Sequence, residues 1–223
     1  MTTSSTLAEL ATTHPAASRV FQRFGLDYCC GGRQALAEAC VRKGLDANVI
    51  LEAIAGEEAP ANLPRWDSAP LPELIQFIVQ RYHHSLRAEL PALISYAARV
   101  EQRHGDKPGC PAGLRNLLDA MHQSVLEHLE KEERVLFPMI LDGDGNRAAG
   151  PVRVLEDEHG EHAAHLGRIR ALTNNLTPPA DACPTWRALY LRLGTLEADL
   201  MDHIHLENHV LFPRALRGME LES

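Results

Sequence analysis

Aromatic residues make up only 5% of the 223-residue chain, and no apolar run reaches the ~18 residues that a membrane-crossing helix needs. Positive charge is scarce too: 22 Lys and Arg stand against 30 Asp and Glu, a net charge of −8 with His neutral. Phosphate-rich partners are bound through clustered positive charge, so neither nucleic acid nor a membrane is an expected partner. The opening stretch MTTSSTLAELATTH lacks the basic start and apolar core of a secretory signal, which makes the cytoplasm the expected location. Strand-type alternation is missing as well. Cysteine is too sparse and badly spaced for a disulfide scaffold: Cys29, Cys30, Cys40, Cys110 and Cys183 make an odd set of five with two adjacent. Reduced thiols are expected. With 45% hydrophobic and 23% charged residues, the chain is otherwise of ordinary globular composition.

What the sequence has in excess is histidine, and eleven of the 12 follow residue 80. The chain divides around Pro60, Pro64, Pro70 and Pro72, whose polar surroundings read as a linker over 58–70. Before it, residues 1–57 read as a small helical domain. Helices are predicted over 15–25 (ending at Gly25), 33–44 (ending at Gly44) and 46–56 (with Asp46 as N-cap). After it, residues 71–223 read as four long amphipathic helices over 71–104, 112–140, 151–172 and 185–217, with a kink expected at Pro91. The breaker-rich connections between them suit an antiparallel bundle. The fold class is therefore all-α: a four-helix bundle with a small N-terminal helical domain.

An internal repeat points to the chemistry. Residues 128–138 (HLEKEERVLFP) and 203–213 (HIHLENHVLFP) share H-x-x-x-E-x-x-V-L-F-P, 75 residues apart. A further histidine precedes each copy at nearly the same interval, His83 before the first and His159 before the second. A spacing of four stacks two side chains on one helical face, and the apolar stripes place His83, His128, Glu132, His159, His203 and Glu207 toward one core. Two unpartnered buried carboxylates would be costly and would repel each other; a pair of cations removes both penalties. Four imidazoles and two carboxylates without cysteine fit two irons per chain, with manganese second, whereas structural zinc favours a closed four-ligand site. The expected arrangement gives each ion two His, with Glu132, Glu207 and an oxide or hydroxide bridging the pair. His84, His122, His162, His165, His205 and His209 are expected to be solvated or supporting residues, as are Glu133 and Glu158. Asp142-Gly-Asp144-Gly-Asn146 fails as a calcium loop because Arg147 and Arg153 occupy its glycine and glutamate positions.

These residues resemble the hemerythrin-like fold, and the whole chain resembles the RIC family of iron–sulfur cluster repair proteins. Phe24-Gly-Leu-Asp-Tyr-Cys29-Cys30-Gly31-Gly32 matches that family's vicinal-cysteine domain, and the duplicated motif matches its di-iron domain. The family's iron ligands fall on the six residues already selected by the repeat. The chain departs from oxygen-carrying hemerythrins at Ala163 and Asn208, where those proteins place a further His and an Asp. The resemblance implies repair of clusters damaged by oxidative or nitrosative stress through donated iron, with Cys29 and Cys30 as a thiol relay or docking pair. Gly31-Gly32 is expected to start the next helix and so to lower the thiol pKa values. The alternative is reduction of nitric oxide at the two irons, or binding and sensing of NO or O2. Expected partners are damaged iron–sulfur proteins, NO or O2, an electron donor that the sequence does not name, and a second copy of the chain.

Overall fold

The computed structural model describes residues 1–14, 16–57 and 65–217. Among these residues the chain is helical without strands; one isolated bridge joins Thr6 and Ala35. The parts of the expected linker at 58–64, Pro15, and residues 218–223 lie outside the described residues.

The N-terminal part contains α1 (Leu7–Thr13), α2 (Ala17–Phe24), α3 (Leu36–Lys43) and α4 (Ala47–Gly56). The first is absent from the sequence reading, although Thr6 and Glu9 form a reciprocal capping box. Gly25 and Gly44 end α2 and α3 in the left-handed region, at φ 65° and 66°, and Asp46 caps α4 by accepting from the Asn48 N–H. Val20, Phe21, Leu26, Tyr28, Leu36 and Ile50 form a shared apolar cluster of these helices.

The bundle follows. Its first arm is α5 (Leu71–Ile78), a π turn (Val79–His83) and α6 (His84–His104). The second is α7 (Leu114–Lys131), a π turn (Glu132–Leu136) and α8 (Phe137–Leu141); the third is α9 (Gly145–Leu172). The fourth is α10 (Pro184–Leu206), a π turn (Glu207–Leu211) and α11 (Phe212–Arg217). Pro91 lies inside the continuous α6; the break in α-helical bonding falls upstream at Val79–His83 instead. α6 packs on α7 and α10, and α7 on α9.

Two apolar layers fill the bundle. One joins Leu86, Leu90, Met121, Val125, Leu166, Trp186, Leu196 and Leu200; the other joins Leu74, Ile78, Leu136, Phe137, Val152, Leu155, Leu211 and Phe212. In each arm the predicted ligands fall between a residue of one layer and a residue of the other. Each fully buried Leu or Phe contributes about 1.5–3 kcal/mol, so two such layers can carry a polar layer between them. No helix among the described residues is long and apolar enough to cross a membrane.

Candidate metal centre

Each repeat motif meets a change of helical pitch at its glutamate. His128 and His203 lie in the last α-helical turns of α7 and α10, and Glu132 and Glu207 open the π turns. His83 closes the π turn of the first arm, while His159 lies within regular α9. A π turn inserts one residue and turns everything downstream; such bulges concentrate at functional sites. Here the insertion keeps both regions inward, because Leu136, Phe137, Leu211 and Phe212 are buried beyond it.

The six predicted residues are brought together. All are between 0% and 1% exposed. Their donor atoms form two groups, His83–Glu132–His203–Glu207 and His128–Glu132–His159–Glu207, and within each group the atoms lie within 4.8 Å of one another. Glu132 and Glu207 belong to both. The Nε2 atoms of His83 and His203 are 3.2 Å apart, and those of His128 and His159 are 3.1 Å apart. His83 and His128 approach the two Glu132 oxygens at 3.4 and 3.3 Å, and His159 and His203 approach those of Glu207 at 3.2 and 3.0 Å. Donors held about 2.1 Å from one ion at right angles stand about 3 Å apart, so the spacing suits coordination.

The outer ring nitrogens are turned away from this centre by partners of their own. His83 Nδ1 meets Glu133 Oε1 at 2.7 Å, His128 Nδ1 meets Glu158 Oε2 at 2.9 Å, and His159 Nδ1 donates to Asn208 Oδ1 at 2.7 Å. Such contacts fix the tautomer and present Nε2 to a metal. Arg87 supports Glu133, and Lys131 supports Glu158. His203 differs: its Nδ1 is buried without a partner among the described residues, and its ring stacks on Tyr82 at 5.5 Å.

The electrostatics call for positive charge. Both Glu132 oxygens and Glu207 Oε2 are buried without a hydrogen-bond donor among the described residues. Burial opposes a charged Glu207, yet His203 and His159 outweigh it and hold the carboxyl well below the ordinary range. Burial likewise opposes a charged His128, but Glu132 and Glu158 raise it to about 10. His83 goes the other way, lowered by burial and by His203. Bare carboxylate oxygens, inward Nε2 atoms and the lack of a thiolate in either group fit a cation site of imidazole and carboxylate.

Cys29 and Cys30 lie against the bundle and outside both groups. Cys29 is buried and Cys30 exposed; the Cys30 thiol faces the His159 carbonyl at 3.6 Å. The expected helix does not begin at Gly31-Gly32 but at Leu36, so the thiols are not at a helix N-terminus. Cys29 is pushed well above the usual thiol range, first by its contact with Cys30 and then by burial, which reverses the expected activation. Gly32 has a different purpose: a Cβ there would stand 2.3 Å from the Tyr28 carbonyl oxygen and 2.5 Å from His209 Nε2. The supporting role of Asn208 has no signature in the sequence, whereas His209 is among the histidines expected there to be solvated or supporting. The roles of Glu133 and Glu158 were signalled only by adjacency to predicted ligands.

Residues 75–215 match the hemerythrin HHE cation binding domain, and residues 3–58 match a domain of unknown function, DUF542. The iron-sulfur cluster repair protein YtfE of Cronobacter sakazakii is 50% identical over 212 residues, covering 95% of this chain and 96% of its own. The chain belongs to the YtfE family. Further YtfE relatives, from Dickeya chrysanthemi and Shigella boydii, are 48% and 49% identical, each over 95% of this chain and 96% of the relative. The match to the hemerythrin HHE cation binding domain spans both buried His and Glu groups and agrees with the helical-bundle architecture.

Proposed function

We propose that this chain repairs iron–sulfur clusters and that iron held by the bundle is the cargo it delivers. The function comes from the relatives, which are iron-sulfur cluster repair proteins by name, and the cargo from the donor set. One observation carries the reading: Glu132 and Glu207 are shared by both donor groups. Two irons per chain fit this set, with His83 and His203 holding one position and His128 and His159 the other. Manganese is second on ligand type. Nitrogen and oxygen donors without a thiolate favour surrender of the ion to a cluster site built from sulfide and thiolate, the softer donors. Cys29 and Cys30 are read as the thiol pair that meets a damaged iron–sulfur protein, a reading supported by the exposure of Cys30. Reduction of NO at the paired positions is the second reading, favoured by the same pairing of groups.

Isotope-labelled iron separates the two. Labelled protein is mixed anaerobically with an iron–sulfur enzyme inactivated by peroxide or NO. Delivery requires that the label enter the repaired cluster as activity returns. If activity returns without label, delivery is wrong. An anaerobic NO titration that evolves nitrous oxide would then establish the second reading.

A further inference from the structure

His162 is 1% exposed and lies outside both donor groups. Its Nε2 is 3.1 Å from Ser124 Oγ, but its Nδ1 is buried with no partner among the described residues. A buried polar atom left unpaired costs about 1–3 kcal/mol, and a core histidine kept for packing would ordinarily satisfy both nitrogens. The ring stands edge-on to His128 at 4.9 Å and lies 6.4 Å from His159. With the ring proton on Nε2 and donated to Ser124 Oγ, Nδ1 keeps an unshared pair on a ring that stands beside His128.

The pattern continues along α9. His165, half-buried, also has a buried Nδ1 without a partner among the described residues. Residues 159, 162 and 165 therefore form a stair of imidazoles that rises about 9 Å along the helix and leads from full burial to partial exposure.

We propose that His162 and His165 are relay ligands that pass ferrous iron between the His128–His159 group and solvent. The inference rests on the delivery reading above. Each transfer is a ligand exchange: an imidazole lone pair forms one Fe–N bond as another breaks, with no change of oxidation state and no proton released. Neither residue is needed to complete a donor group, so removing it should alter the rate of iron movement and leave the resting site intact.

The test uses the full iron-loaded chain, reduced anaerobically and challenged with excess coloured ferrous chelator in a stopped-flow instrument. In His162→Gln and His165→Gln, iron content and the absorption spectrum stay as in the parent. Release slows by about tenfold, the scale on which a single supporting contact alters metal binding. Parent-like release from both variants overturns the proposal. Should His162→Gln fail to hold iron, His165→Gln decides alone, since its side chain is half-exposed and outside both groups. Failure of the delivery reading looks different: both variants release slowly, yet labelled iron from the parent never reaches a repaired cluster.

Discussion

His209 Nε2 donates to the Cys29 carbonyl oxygen at 2.7 Å, tying the vicinal-thiol turn to the π turn that begins at Glu207. Gly32 permits this approach, because any Cβ would press on the Tyr28 carbonyl, which is backbone and cannot swing aside. Gly32→Ala should therefore destabilise the chain by about 1–3 kcal/mol, the usual cost of overpacking. Thermal unfolding measures the loss. Alkylation of the buried Cys29 should accelerate in parallel; an unchanged melting temperature and alkylation rate would mean the turn has slack.

Glu132→Leu should abolish metal binding yet keep the helical bundle. Both carboxylate oxygens lack donors among the described residues, so leucine removes a desolvation cost. It also strips away the partner that favours a charged His128, so in chelator-treated protein at neutral pH the substitution should cost stability, up to about 3–5 kcal/mol. Circular dichroism melts beside metal analysis check both halves, and a collapsed helical signal would assign Glu132 a structural role.

Glu133→Ala and Glu158→Ala should each weaken metal binding by about 10- to 100-fold without changing the six donors, because each frees a ring that it orients. Chelator competition gives the affinities. Equal affinity in all three proteins would show that the rings hold their tautomer and direction unaided.

The Cys29→Ala, Cys30→Ala variant should retain its iron while reactivating damaged clusters poorly. Neither thiol belongs to a donor group; the nearest link is the Cys30 contact to the His159 backbone carbonyl. Metal analysis and a reactivation assay on the same preparation provide the check. Loss of iron would show that the turn braces the site itself.

The donor residues were legible because two signals coincide at each: a spacing of four on an apolar stripe, and a second copy of the same motif. What surrounds them was not. The π turns add a single residue, too little to disturb periodicity over a short window, and tertiary packing decides where it goes. α9 starts at Gly145 although Gly150 and Pro151 read as breakers, because Ala148 is fully buried in an apolar layer and packing overrides propensity. The Pro91 kink was read from local rules alone, whereas hydrogen bonding changes at Val79–His83, upstream beside the donor layer. Asn208 and Ser124 are ordinary polar residues in sequence, and only the folded neighbours give them work.

The ligand groups also divide the chain in an informative way. His83, His128 and Glu132 come from the first half of the bundle, and His159, His203 and Glu207 from the second, yet each group draws two donors from either half. Neither helical hairpin alone could complete a single cation position. A shorter polypeptide with one hairpin, pairing with its own copy across a twofold axis, would generate both positions at once. The tandem repeat thus has the form of a fused symmetric dimer. The two halves are not identical in detail: His159 leans on Asn208, while its counterpart His83 leans on Glu133.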